Sequence, residues 1–285
     1  MNNTRLKKMS KNIYYTPPVE KTDRPILAAI VGKESVLIVD GGNSKKHARE
    51  FIDELNKMNL PEKRYLAITH WHWDHVFGIK EMNIPTFSHT ETKKEIEKML
   101  TLDWSDKALE LRVKEGSEIE FCKEKIQEEL KEPRILDLKT PDITYDCGVE
   151  IDLGTITCKI EHVGGEHSID SSVIFSEEDK IIFIGDCLFV DIYHGEWSYS
   201  TKNLFPLIDK LLSYDADYYV ESHVDRLISK EEMIKITNRL KEIGNLVDEI
   251  GLNKDEIINR LSSPINQEDI DNVDYFLAGL RKELQ

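Results

Sequence analysis

The sequence predicts a layered fold of strands and helices, on three observations. Near the start, apolar runs of strand length flank one stretch with helical spacing. Runs of strand length return between residues 149 and 184, and after Lys202 the pattern is mostly helical. Alternation of strand, helix and strand is the pattern by which a sheet covers its face with helices. At 285 residues, with 40% apolar and 32% charged side chains, the chain can bury a substantial core and lacks the composition of a disordered segment. It contains no repeat, low-complexity tract or linker, so residues 1–285 read as one domain.

Residues 26–31 and 35–39 are apolar runs joined by Gly32, Lys33 and Glu34, a hairpin signal. Asp40, Gly41 and Gly42 end the second run. Residues 44–59 carry Ala48, Phe51, Ile52, Leu55 and Met58 at helical spacing, and Pro61 follows. The next strand is 65–68. From about 90 to 133 the pattern becomes highly charged helix with a broken apolar stripe of Leu109, Val113, Ile119, Phe121, Ile126 and Leu130. This predicts a helical insertion packed on one edge; a lid over a neighbouring site is the sharper alternative. Residues 149–153 and 155–160 alternate apolar and polar, as half-buried antiparallel strands do, and 172–175 and 180–184 are further strands. A short strand at 218–220 interrupts the helical remainder, and residues from about 226 to 285 form a helical extension broken at Ser262, Ser263 and Pro264.

The formal charge, 38 basic against 54 acidic residues, is −16. A surface that acidic repels phosphate backbones and anionic lipid, so the expected partner is a small molecule, with neither nucleic acid nor membrane. Residues 1–8 carry the positive charges of an export signal without an apolar stretch behind them, and no segment is apolar for long enough to cross a bilayer. The expected location is the cytoplasm. Cys122, Cys147, Cys158 and Cys187 form no C-x-x-C pair and are expected to stay as thiols.

Three of the nine histidines fall within residues 70–75, together with an aspartate: His70, Trp71, His72, Trp73, Asp74 and His75. They follow directly on the apolar strand 65–68. An isolated histidine is more often a core or surface residue. Three with an aspartate in six positions, at the end of a strand, point to metal binding: imidazole is the commonest ligand for zinc-like ions and a carboxylate adds charge for a second cation. His70 and His72 are able to face one metal while Asp74 and His75 face another.

At these residues the chain resembles the metallo-β-lactamase-fold superfamily, whose signature is H-x-H-x-D-H. The resemblance runs from about residue 27 to residue 225 and includes further motifs in the expected order. It implies an α+β, four-layer αββα sandwich with the metal site at one edge, here with a helical insertion and a helical C-terminal tail. Asp40 matches the family's first-strand aspartate, His167 (after Gly164, Gly165 and Glu166) the third-motif histidine, Asp186 the bridging carboxylate, and His223 the last histidine. The implied first metal takes His70, His72 and His167; the second takes Asp74, His75 and His223; Asp186 bridges. Asp40 is expected to support the ligand loop from behind.

His162 competes with His167 for the third-motif role, but it lies on a strand, whereas His167 follows the glycine pair. His47 and His89 are read as surface or strand-end residues. Two positions depart from the family: Glu166 stands between Gly165 and His167, where it is able to tilt the loop or add a carboxylate, and Ser222 replaces the glycine before His223. Cys187 beside Asp186 is read as a packed thiol. Trp71, Tyr193, His194 and Trp197 are candidate substrate contacts.

The resemblance implies a hydrolase with two divalent metal ions, zinc first and iron or manganese as alternatives. A metal-bridging hydroxide would attack a lactone, ester or thioester carbonyl, with Asp74 as ligand and, secondarily, proton shuttle. The alternatives are β-lactam hydrolysis, a mononuclear iron sulfur dioxygenase, and a phosphodiesterase or nuclease of the same fold.

Overall fold

The computed structural model describes residues 6–284. Residues 1–5, which carry most of the segment compared with an export signal, and Gln285 lie outside the described residues. Two mixed sheets form the centre. The first contains β1 (Lys7–Lys8), β2 (Ile13–Thr16), β3 (Leu27–Val31), β4 (Val36–Val39), β5 (Arg64–Ala67), β6 (Thr86–His89) and β7 (Ile143–Tyr145), in that spatial order. Its first four strands run antiparallel and the pairings from β4 to β7 are parallel. The second contains β8 (Gly148–Asp152), β9 (Thr157–His162), β10 (Ser172–Ser176), β11 (Ile181–Gly185), β12 (Tyr218–Glu221) and β13 (Ile228–Ser229). Here only the β11–β12 pairing is parallel.

Side-chain alternation along the strands explains the layers. Ala28 and Ile30 of β3, Leu37 and Val39 of β4 and Ala67 of β5 point inward. They meet Cys158 and Ile160 of β9, Ile174 of β10, and Ile181 and Phe183 of β11 between the sheets. The other face of the first sheet, through Leu27, Ala29, Val36 and Ile38, packs on Ala48, Phe51 and Leu55 of α1 (Lys45–Asn56). The short helices α2 (Trp73–Val76) and α3 (Ile79–Met82) follow β5 on that side. The outer face of the second sheet, through Val173, Phe175, Ile182 and Ile184, packs on Leu204, Leu207, Ile208 and Leu211 of a later helix. The result is helix, sheet, sheet, helix, the expected four-layer sandwich.

The 90–133 insertion is three helices: α4 (Thr90–Met99), α5 (Asp106–Glu115) and α6 (Glu120–Glu129). Gly116, in the left-handed conformation, ends α5. The insertion is not merely a solvated appendage, because Ile96, Met99, Leu109, Cys122 and Ile126 enter the outer core with α1. The C-terminal portion supplies α7 (Thr201–Ser213), α8 (Lys230–Ile250), α9 (Lys254–Arg260) and α10 (Gln267–Glu283). The break read at Ser262 to Pro264 lies between α9 and α10, where Asn266 begins α10 with a reciprocal capping box to Asp269. Gly279 lets α10 pass directly over the chain before α7: a Cβ there would stand 1.9 Å from the carbonyl oxygen of Tyr199. Among the described residues no helix is long and apolar enough to cross a membrane.

Candidate metal centre

The site lies where strands of both sheets end on one edge. His70 follows β5, and His72, Asp74 and His75 occupy the turn and first positions of α2. Asp186 follows β11 directly. Gly185, the last residue of that strand, has φ +57 and lies so close to Thr69 that a Cβ would meet its side chain at 2.9 Å. Glycine is therefore required both for the turn and for the approach of the two ligand loops. His223 follows β12, and His167 sits in the loop between β9 and β10.

These seven residues come together as two donor sets. His70, His72 and His167 form one; Asp74, His75, Asp186 and His223 form the other. Within each set the donor atoms lie within 4.8 Å of one another. Asp186 lies between the sets: its Oδ2 is 3.2 Å from His75 Nε2 and 3.3 Å from His223 Nε2, and 3.8 and 3.9 Å from Nε2 of His70 and His167. Asp74 Oδ2 is 2.9 Å from His75 Nε2 and 3.2 Å from His223 Nε2.

The donor chemistry fits divalent cations. Among the described residues, the Nε2 atoms of His70, His72 and His167 are buried without a hydrogen-bond partner, a costly arrangement for three imidazoles unless a ligand receives their lone pairs. Burial also holds all three below the ordinary imidazole range, so they are neutral, the ligating form. Burial alone would raise Asp74 and Asp186, but the adjoining His75 and His223 hold both carboxyls below the usual carboxylate range.

Residues behind the donors set their orientation. Asp40, itself at φ +62, accepts from the Thr69 amide at 2.8 Å and from Thr69 Oγ1 at 3.0 Å, and lies 2.9 Å from His75 Nδ1. That contact places the His75 proton on Nδ1 and turns Nε2 toward Asp74 and Asp186. His167 Nδ1 lies 3.1 Å from the Val190 carbonyl, which fixes the ring in the same sense. The expected support role of Asp40 thus has a specific geometry. Asp40→Ala is expected to weaken cation binding by the Asp74, His75, Asp186 and His223 set by about 10–100-fold, read by competition with a chromophoric chelator; unchanged affinity would remove Asp40 from the site.

The other residues singled out in the sequence are placed as follows. His162 stacks on His89 with centroids 3.9 Å apart and lies outside both donor sets. His47 is buried behind Ser44, not at the surface. Glu166 turns away from the metal side and accepts the Ser200 amide at 2.8 Å and the Ser200 hydroxyl, anchoring the start of α7. Cys187 is a buried thiol in the core, pushed up by burial. Of the candidate substrate contacts, Trp197 lines the cavity over the donors. Trp71 and Tyr193 pack against the His72 ring with centroids 4.7 and 5.2 Å away. His194 points outward, paired with Asp191 at 2.9 Å.

Two contributors carried no signal in the sequence. Asp23, in the left-handed region at φ +53, lies 3.5 Å from His223 Nδ1 and is pushed up to about 7 by burial and the Asp74 charge. Glu118 of the insertion receives the Tyr193 hydroxyl at 3.3 Å, tying the insertion to the aromatic group around His72. His72, Asp74, His167, Asp186 and His223 line a cavity of about 980 Å³, walled further by the N-terminal loop, the insertion, the loop after β11, and helices α8 and α10.

Comparison with known proteins bears on the fold and the family. No curated protein matches the chain. Among solved structures, a metallo-beta-lactamase from Pontibacter korlensis is 19% identical with a TM-score of 0.55, covering 82% of this chain and 97% of its own. A metallo-beta-lactamase family protein from Thermus thermophilus is 16% identical with a TM-score of 0.61, covering 97% and 95%. A double mutant of the sec-alkyl sulfatase PisA1 is 12% identical with a TM-score of 0.67, covering 94% of this chain and 46% of its own. At such identities the likeness is one of fold. The family model described as Metallo-beta-lactamase superfamily matches residues 22–223, from beside Asp23 through His223, and the chain belongs to that superfamily.

Proposed function

We propose that the protein is a dinuclear metal-dependent hydrolase that cleaves a lactone, ester or thioester carbonyl. The observation that carries this reading is the pair of adjacent donor sets with Asp186 between them, opening onto one cavity. Two divalent cations, zinc first and iron or manganese as alternatives, would supply Lewis acidity and a water activated at neutral pH.

The chain's own residues provide the rest. His70, His72 and His167 hold one position and Asp74, His75 and His223 the other, with Asp186 shared. Asp40 and the Val190 carbonyl keep the His75 and His167 rings in the ligating tautomer. Asp74 is a ligand first; its Oδ2, beside His75 and His223, is also the group placed to pass a proton to a leaving atom. Of the donors, His70, His72, Asp74, His75 and His167 are buried, while Asp186 is partly accessible and His223 is open to the cavity. The −16 charge supports a small-molecule substrate over a nucleic acid. The four unpaired cysteines support a reducing compartment, the cytoplasm.

The test is metal quantification on purified protein coupled to a panel of lactones, esters, thioesters, β-lactams and phosphodiesters. Two zinc ions per chain with turnover of a carbonyl ester or lactone is the expected result. One iron per chain with oxygen uptake on a persulfide would replace the hydrolase with a sulfur dioxygenase, and turnover confined to β-lactams or phosphodiesters would replace the substrate class.

A further inference from the structure

The cavity over the donors has a directional chemistry. Phe189 stands beside His167 with ring centroids 5.7 Å apart, Trp197 beside Phe189 at 5.8 Å, and Tyr275 of α10 beside Trp197 at 6.4 Å. These rings make a continuous aromatic ridge that begins at the first donor set and ends on the C-terminal extension. Phe121 of the insertion and Ile236 of α8 line the same space. Phe121, Phe189 and Trp197 are 43%, 45% and 36% exposed. Large apolar side chains left open to solvent and converging on one cavity mark a place for an apolar ligand.

The charges of the same cavity limit what that ligand carries. Among the described residues the cationic side chains lining it are Lys235 and Arg239. Arg239 is occupied: it holds Asp269 by a fork at 2.7 and 2.8 Å and Glu242 at 2.7 Å. Lys235 stands at the rim, paired with Glu231 at 2.7 Å. Facing them are Glu20, Asp23, Glu221, Glu268 and Asp271. An anionic group held away from the donors would therefore meet five carboxylates and two cations that already have acidic partners.

We propose that this cavity selects carbonyl substrates bearing a long, uncharged apolar substituent, which lies along Phe189, Trp197 and Tyr275 while the carbonyl sits over the donor sets. The choice of a carbonyl rests on the hydrolase reading above; the ridge is testable by binding alone.

The experiment measures equilibrium binding of amides to the zinc-loaded protein by the change in Trp197 emission, with Trp197→Phe as the blank. Decanamide is expected to bind at least about a hundredfold tighter than butanamide, even with only half of its additional methylenes buried, and at least about tenfold tighter than decanamide carrying a carboxylate at its far end. Phe189→Ala, at an exposed position where folding is readily checked by circular dichroism, is expected to reduce the preference for the longer amide by about tenfold. Equal binding of the three amides, tighter binding of the carboxylated one, or an undiminished preference in Phe189→Ala overturns the proposal. If decanamide shows the preference while no ester, lactone or thioester is cleaved, the hydrolase reading falls and the ridge stands. If short esters are cleaved without any preference for decanamide, the ridge falls and the hydrolase stands.

Discussion

Asp186→Ala is expected to lower kcat/KM by at least about 100-fold, the upper end of what loss of a mere supporting residue costs a metal site, and to lower metal content below two ions per chain. The reason is its position. Its Oδ2 is the one donor near imidazoles of both sets, from 3.2 Å at His75 to 3.9 Å at His167. Removing it takes away the shared ligand and the negative charge that holds two cations close together. His72→Ala, which removes a donor from the first set alone, is expected to reduce metal content and activity while leaving His75 and His223 with their carboxylates. Cys187→Ala provides the comparison at the next residue: its buried thiol packs in the core behind the second sheet, so metal content should be unchanged. Metal analysis of the purified variants, alongside turnover of whichever carbonyl substrate the wild type cleaves, reads all three. Full activity in both ligand variants would sink the assigned site.

Most of the candidate donors were legible in the sequence because they stand near the end of a strand that is apolar enough to read, whereas His167 was read from the glycine pair before it. The runs that become β4, β5, β11 and β12 each contain at least three consecutive apolar or aromatic residues, and Asp40, His70, Asp186 and His223 stand at or just past their ends. The outer strands of the first sheet were not legible. β1, at one edge, is two lysines, and β6, next to the other edge strand β7, has Phe87 as its only large apolar side chain; such strands are defined by pairing with a neighbour and not by their own pattern. The insertion read as one charged helical region because its apolar stripe is sparse, and its division into α4, α5 and α6 depends on short loops. Trp71 and Tyr193 read as substrate contacts because aromatic residues lay near the ligands in sequence. Their packing against His72 and the Tyr193 link to Glu118 are tertiary facts. Asp23 had no pattern at all: it stands in an irregular segment and reaches His223 only once the two sheets are packed.

The residue after Asp23 gives the largest expected effect on stability. Arg24 is buried and makes a fork with Glu129 of α6, Nε to Oε2 at 3.1 Å and Nη2 to Oε1 at 2.6 Å, while its Nη1 reaches Glu50 of α1 at 2.7 Å. Ser44, the N-cap of α1, donates to the same Glu129 oxygen at 2.7 Å. Three distant parts of the chain, the N-terminal loop, α1 and the insertion, thus meet on one carboxylate whose side chain is only 5% exposed. A surface ion pair of this geometry would contribute little. Here, Arg24→Ala strands a charge in the interior, which costs about 3–5 kcal/mol. The expected result is a urea midpoint shifted down by that amount divided by the slope of the transition. Arg24→Met combined with Glu129→Leu removes both charges and is expected to recover most of the loss, because apolar replacements of a buried pair leave nothing unpaired. The single variant should also bind cations more weakly, since Arg24 anchors the loop that holds Asp23 at 3.5 Å from His223 Nδ1. An unfolding free energy within about 0.5 kcal/mol of wild type, the range of an ordinary surface change, would show that Arg24 is not what fastens the insertion and the N-terminal loop beside the donors.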